Sequence, residues 1–484
     1  MLLIYTILYF ISMMFYYLKL NIIASIIMIL LAIFLCFAEI RISKRVINVR
    51  GLFALGFIGG FGLSLLKLSK LSQDYNILTF IAVYISYFSL YFGVFLRNRK
   101  SENVLTNSQN EKLRKSDSIL LPQEILIIVL LAVTFVSFVV EVVILRFIPL
   151  FTLSTPHAYS TFHVFMIHYI TTFYAFIPCF ALCNYFVEPE RKNSKMFIII
   201  TYVYVVIMAL LMVSRSQLIL SIVLSLFIII IYKTRKTGRV VLSKRSLITV
   251  SISVVIFLML YLIITINRAH DVEYLNSIFE MKNENTPIFI TQPYMYIAHN
   301  FENLNYMINN VFRLTFGRRI LYPFFTLTFV KKFFPIVVDS PYYIIKEELS
   351  TVTIIYDFYY DFGLVGVAVF CFIVGYIGKV LEDKAYRVAL QDEPKKNNYM
   401  LILFSLYCYF MLFSFFQTYF SLTDTWVYII ILSLITFLFN MNRSAPRRTF
   451  MNERRKKIFN GTKNESVPYM EGSNNYEEEF EENF

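Results

Sequence analysis

Apolar runs long enough to cross a bilayer recur along the whole chain, and nothing else in it constrains the fold as strongly. A helix needs roughly 17–25 apolar residues to cross the hydrocarbon layer, and about twelve such runs can be read on that criterion. They lie near residues 2–18, 22–40, 51–68, 76–96, 123–145, 163–187, 196–213, 216–232, 246–266, 351–380, 399–420 and 425–441. The composition agrees: 58% of residues are hydrophobic, 16% are charged and the mean hydropathy is +0.62. Soluble domains carry about 25% charged residues. The bilayer is therefore the natural solvent for this chain. Phe, Tyr, Ile, Asn and Lys all run high together, as AT-rich coding would produce, so aromatic richness alone is not a functional signal.

Lys and Arg set the orientation. With the N-terminus inside, the inner loops 41–50, 97–122, 188–195, 233–245 and 379–398 hold 24 basic residues, against five (Lys19, Lys67, Lys70, Arg146, Arg215) in the short outer turns. The expected fold is an all-α polytopic membrane protein of about twelve transmembrane helices, with both termini cytoplasmic and one large extracytoplasmic loop, 267–350. Residues 1–441 form the transmembrane domain, loop included. The tail 442–484 begins basic and ends acidic, and is expected to be a disordered cytoplasmic segment with its basic part near the anionic inner leaflet. Met1 is followed at once by apolar residues with no basic stretch or cleavage site, so the first helix is expected to be retained. No internal repeat is visible; only the second half carries the long loop, which disfavours a transporter built from repeated halves. The apolar and Pro-broken stretch 320–337 is expected to lie on the outer surface, since a span there would put the basic loop 379–398 outside.

The outer segment and the helix ends around it hold the residues that can carry chemistry. Arg146, Arg215, Arg268, Arg313, Arg318 and Arg319 all fall on the side where basic residues are scarce. Each can snorkel to headgroups, but guanidinium also grips phosphate oxygens in pairs. Arg215 opens a helix whose N-terminal dipole favours an anion as well. His299 is a candidate proton acceptor on the outer surface. Around it Tyr294, Tyr296, Asn300 and Asn303 are of types that bind sugars; the competing reading is a solvated helix face. Asp357 and Asp361, four apart, share a helix face. They are candidates for the site at membrane depth, or partners of an outer arginine, and the two roles are compatible. Glu141 is expected to pair with Arg146. Asp271-Val-Glu273 is a weak metal–diphosphate pattern. His157, His163 and His168 have no nearby carboxylate or cysteine in the sequence, and the five cysteines sit in apolar runs as small hydrophobes. No metal, cofactor or nucleic acid is expected, and no nucleotide-binding glycine pattern is present.

Four of these stretches together resemble the bacterial oligosaccharide repeat-unit polymerases, the Wzy type that builds O-antigen, capsule and exopolysaccharide. They are Arg146-Phe-Ile-Pro-Leu-Phe151, Ser214-Arg215-Ser216, the stretch from Tyr294 to Asn305, and Tyr359-Tyr-Asp-Phe-Gly-Leu-Val-Gly366. The expected topology is similar too. The resemblance implies a metal-independent glycosyltransferase in the cytoplasmic membrane of a bacterium, with its active face extracytoplasmic. Donor and acceptor would be undecaprenyl-diphosphate-linked oligosaccharides, and a flippase and a chain-length regulator would be pathway partners. Arg215, with Arg268, Arg313, Arg318 or Arg319, would stabilise the departing diphosphate. His299, or Asp357 or Asp361, would take the proton. His299-Asn300 is also reminiscent of the related O-antigen ligases, whose surrounding glycines are absent here. A ligase-like or other polyprenyl-phosphate-dependent transferase, and a lipid-linked oligosaccharide flippase or other transporter, are the competing readings.

Overall fold

Inside a bilayer an apolar run can satisfy its own backbone only as a helix, and most of the expected spans take that form. The computed structural model describes residues 1–101, 122–152, 161–187, 189, 191–234, 272–333, 342–390 and 399–441. Among these the chain is helical, and β-structure is limited to one isolated bridge between Ser69 and Met281.

Seven helices are long and apolar enough to cross a membrane. They are α2 (Asn21–Ser43), α4 (Ile77–Ser101), α5 (Pro122–Leu145), α6 (Ile167–Val187), α7 (Lys192–Leu211), α8 (Arg215–Thr234) and α12 (Tyr356–Leu390). Four shorter apolar helices accompany them: α1 (Leu2–Tyr17), α3 (Val49–Ser64), α13 (Met400–Leu412) and α14 (Thr423–Met441). The expected span at 246–266, Arg268 and the tail 442–484 lie outside the described residues. Contacts group Met1–Thr436 as one unit; the second unit, Phe437–Phe484, is described only through the end of α14. Three further helices of eight residues or more come from the segment expected outside, α9 (Val272–Phe279), α10 (Ile288–Asn310) and α11 (Arg318–Leu327), followed by a single helical turn at Val330–Phe333.

Helices α1 to α4 and α12 pack as one group and α5 to α8 as another, and α13 touches both, lying against α3 and α12 on one side and α6 and α8 on the other. The tightest pairing is α4 with α12. A Cβ on Gly93 would lie 2.2 Å from the Phe372 carbonyl oxygen, and one on Gly375 would lie 2.2 Å from that of Leu90. Small residues facing each other let the two backbones touch, which is how apolar helices associate where the hydrophobic effect between them is weak.

Two local features differ from the sequence expectation. The stretch around His299, for which a solvated helix face was the competing reading, lies on α10, 23 residues long, buried along much of its length and packed against α3. The span expected at 351–380 is a helix broken at Gly363, whose φ of 62° and ψ of −149° are not helical. The turn of helix before the break, Tyr356 to Phe362, carries Asp357 and Asp361.

Candidate functional site

The break at Gly363 sets the site. It holds the first turns of α12 at an angle that brings both carboxylates against α11. Asp361 accepts the backbone N–H groups of Arg319 (3.2 Å) and Ile320 (2.9 Å), and also the Thr315 hydroxyl. It thus does the work of an N-cap from a distant element: it satisfies the first orphan donors of α11 and sets a negative charge at the positive end of the helix. The loop before α11 is fastened to the same place, with Thr315 N–H on the Tyr360 carbonyl (3.2 Å) and Phe316 N–H on that of Asp361 (3.1 Å). Gly317 enters the helix at φ +86°, a left-handed conformation that glycine adopts without strain.

Asp357 pairs with Arg319 through the guanidinium Nε. The guanidinium is further held over the rings of Tyr360 (4.8 Å) and Tyr356 (5.8 Å). Asp357, Asp361 and Arg319 are all buried. This is the pairing with an outer arginine that the sequence offered as one reading of Asp357. Removing Arg319 would take the paired cation from the buried Asp357 carboxylate, a costly loss at a buried charge.

Above this base lies a cavity of about 650 Å³, lined by Arg313 to Arg318, Leu321, Phe325, Tyr343 and Tyr360. That is within the size range of small-molecule sites. Arg313 and Arg318 are exposed in it, and among the described residues neither has a carboxylate partner. Tyr343 and Tyr360 meet with ring centroids 5.5 Å apart and form an aromatic wall. Two solvated guanidiniums beside aromatic faces suit a ligand that is anionic at one end and presents a carbohydrate or apolar face at the other.

The cluster expected around His299 sits elsewhere, on α10, and does not line this cavity. His299 is 2% exposed, so it is not the surface histidine expected from the sequence. Burial pushes its pKa down to about 4, with the Leu349 carbonyl and Asn303 offsetting part of that fall. Its ring nitrogens make no well-aligned hydrogen bond among the described residues. Asn303 donates to the carbonyls of Leu349 (2.8 Å) and Thr351 (2.9 Å) and accepts the Ile345 N–H (3.0 Å), so it fastens the segment leading into α12. The Tyr294 hydroxyl accepts the Leu68 N–H at 2.9 Å. Asn300 donates to the Tyr296 carbonyl of its own helix, and Tyr296 is half-buried beside the Phe416 ring. Glu302 takes the Lys67 ammonium at 2.6 Å, the Tyr75 hydroxyl at 3.0 Å and the Gln73 N–H at 3.1 Å. In this structure the Tyr294–Asn303 stretch fastens α10 to its neighbours.

Arg215 opens α8 and is buried, and the residue two before it, Val213, has φ 50°. Such a conformation is an outlier for a β-branched residue and marks a constrained turn. Arg146 is exposed at the end of α5 with φ 62°.

Glu141 is not joined to Arg146. It is fully buried, and its Oε1 lies 3.1 Å from His168 Nδ1 and accepts the Val164 N–H at 3.1 Å. The expectation that His168 lacks a carboxylate neighbour is thereby corrected. The two residues lie 27 positions apart on different helices. The signal in the sequence was the carboxylate itself, since an acidic residue inside an apolar span demands a partner.

No known family model matches this chain, and no curated protein or solved structure matches it.

Proposed function

We propose that this chain is a glycosyltransferase that joins oligosaccharide repeat units carried on undecaprenyl diphosphate, at the outer face of the bacterial cytoplasmic membrane. In this reading it crosses the bilayer about twelve times with both ends cytoplasmic. The observation that carries it is the cavity in which Arg313 and Arg318 stand open beside Tyr343 and Tyr360. The guanidiniums would hold the donor diphosphate. An acceptor sugar hydroxyl then attacks the anomeric carbon, and the bond from that carbon to the diphosphate oxygen breaks. Charge grows on the departing oxygen as it leaves, and fixed cations stabilise that charge more than they stabilise the bound donor. Arg319, anchored by Asp357, keeps the wall residue Tyr360 in place.

The pairing of loops supports the two-faced arrangement. Segments expected inside meet one another: Arg45 reaches Glu382 and Asp383, each at 2.7 Å, and Arg191 reaches Glu124 at 3.1 Å. Segments expected outside do the same, through Lys19 with Asp74 (2.7 Å), Lys67 with Glu302 (2.6 Å) and Lys70 with Glu284 (2.8 Å).

Arg318→Ala, alone and with Arg313→Ala, tests the reading in the native host, with surface polysaccharide resolved by gel. Loss of long chains with single repeat units still exported is the expected result. Loss of all export would point to a flippase. Normal chain lengths left unattached to their final carrier would point to a ligase, and an unchanged ladder would remove the cavity from the chemistry.

A further inference from the structure

The cavity that holds Arg313 and Arg318 has two unlike kinds of wall. Leu321 and Phe325 of α11 offer carbon alone, whereas Tyr343 and Tyr360 offer rings that carry hydroxyls. We propose that the tyrosine wall is the saccharide platform of the site. Tyr343 stacks against the sugar next to the diphosphate, and Tyr342 against the sugar beyond it. This deepens the transferase reading above and rests on it.

The tyrosines form a row that leads out of the cavity. Ring centroids are 5.5 Å apart between Tyr360 and Tyr343, and 5.0 Å apart between Tyr343 and Tyr342. Exposure rises along the row: Tyr360 is 9% exposed, Tyr343 is half-buried and Tyr342 is 69% exposed. The rings of the two pairs are inclined at 59° and 89°, so in neither pair do two faces lie flat against each other. Tyr360 has the Arg319 guanidinium over its ring at 4.8 Å, which leaves Tyr343 as the platform inside the cavity.

The row is also fixed in place. The Tyr356 hydroxyl donates to the Tyr343 carbonyl at 3.0 Å, and the Ile345 N–H donates to Asn303 at 3.0 Å. The segment carrying Tyr342 and Tyr343 is thereby pinned to α12 on one side and to α10 on the other. A surface held in its binding shape before the ligand arrives spends less of the contact energy on ordering.

The chemistry of the rings selects the occupant. A sugar ring sets its C–H face on an aromatic face and turns its hydroxyls to polar groups or water, which suits a ring that is apolar in its body and polar at its tip. A hydrocarbon chain gains nothing from the hydroxyls, and the row leads towards solvent. The carbon-only wall of α11 is the better match for hydrocarbon. With the diphosphate on Arg313 and Arg318, the first sugar falls on Tyr343 and the glycan runs outward past Tyr342.

The test measures binding to full-length protein in lipid nanodiscs with three probes: undecaprenyl diphosphate alone, the same lipid carrying the first sugar of the host repeat unit, and the lipid carrying the whole unit. Wild-type affinity is expected to rise with each extension. Tyr343→Ala should bind both sugar-bearing probes about 2- to 10-fold more weakly and the bare diphosphate as the wild type does. Tyr343→Phe keeps the ring and should restore binding. Tyr342→Ala should weaken the whole unit alone, and it decides the matter if Tyr343→Ala does not fold. Equal weakening of all three probes in Tyr343→Ala would mean that the ring only shapes the diphosphate pocket. No weakening of any would mean that these tyrosines sit among headgroups as interfacial aromatics do. Either result, or a wild-type affinity that sugar does not raise, overturns the platform and leaves the transferase reading standing. Failure of the wild-type protein to transfer saccharide from one lipid diphosphate to another overturns that reading instead.

Discussion

Helix α10 and the cavity at α11 draw on the same kinds of residue and belong to the same long segment, yet they end in opposite physical states. On α10 the charged and hydrogen-bonded anchors are buried and spent: Glu302 on three donors, Asn303 on three backbone groups, Tyr294 on Leu68. At α11 the carboxylates are spent in the same way, on Arg319 and the helix N-terminus, but Arg313 and Arg318 stay in solvent. Residue type does not separate a fastening from a site. What separates them is whether the charge has already been neutralised by the protein.

The largest effect should come from unfastening α10. Glu302→Ala leaves the Lys67 ammonium buried beside the Gln73 carbonyl and the Tyr75 and Tyr16 rings, with no carboxylate on it among the described residues. Breaking a buried pair from one side costs about 3–5 kcal/mol. Thermal unfolding in detergent should show a large loss of stability, with surviving folded protein still active. A stable Glu302→Ala variant that loses activity would reverse the comparison and return α10 to the chemistry.

His299 tests the same element through pH. Its pKa falls from the ordinary 6.5 to about 4 on folding, because burial disfavours the charged ring. The unfolded chain therefore binds the proton more readily, and stability must rise with pH between those values. The penalty is absent above about 6.5 and complete below about 4, and the shift corresponds to about 3 kcal/mol. His299→Gln should flatten that part of the stability–pH curve. An equally steep curve in the variant would mean that other groups cause the slope.

At the cavity the pattern inverts. Arg313→Ala with Arg318→Ala should cost stability no more than about 0.5 kcal/mol, as for exposed residues without partners. Transfer should fall by about 10²-fold, comparable to removing a donor from a charge-stabilising site. Lysine at both positions should recover only part of the rate, since an ammonium cannot match the two-pronged grip of guanidinium. Full recovery by lysine would reduce the role to bulk electrostatics.

The sequence reveals the membrane class readily, because long apolar runs have few other outcomes. Helices α2, α4, α5, α7 and α8 fall close to the expected spans for that reason. The Asp357–Arg319 pair was also within reach, since a carboxylate beside outer arginines has few other ways to be buried. The spacing misplaces His299 because the apolar stripe of α10 (Tyr294, Ile297, Phe301, Leu304, Ile308) marks one packed face, whereas the polar face carrying His299, Asn300 and Asn303 is buried as well, which spacing alone does not show. Glu141 with His168 was missed because contacts between helices leave no spacing to read; Arg146 was simply the nearest cation along the chain.

The smallest of these effects concerns the joint between the two states of α12. The Tyr359–Gly366 motif contains two glycines with different tasks. At Gly366 a Cβ would lie 2.1 Å from the Phe358 carbonyl oxygen, so the folded-back turn needs glycine for space. At Gly363 a Cβ would meet nothing within 4 Å, and the constraint there is φ +62° with ψ −149° alone. Alanine at 363 should therefore cost about 1–3 kcal/mol, all of it in the backbone. Relaxing that strain would straighten the helix and draw Asp357 and Asp361 away from α11. Gly363→Ala should then combine a modest drop in unfolding temperature with weaker donor binding, seen as a higher KM, because the cavity floor is held by those two carboxylates. A drop in stability with an unchanged KM would show that α11 keeps its place without them, and that the break in α12 serves packing alone.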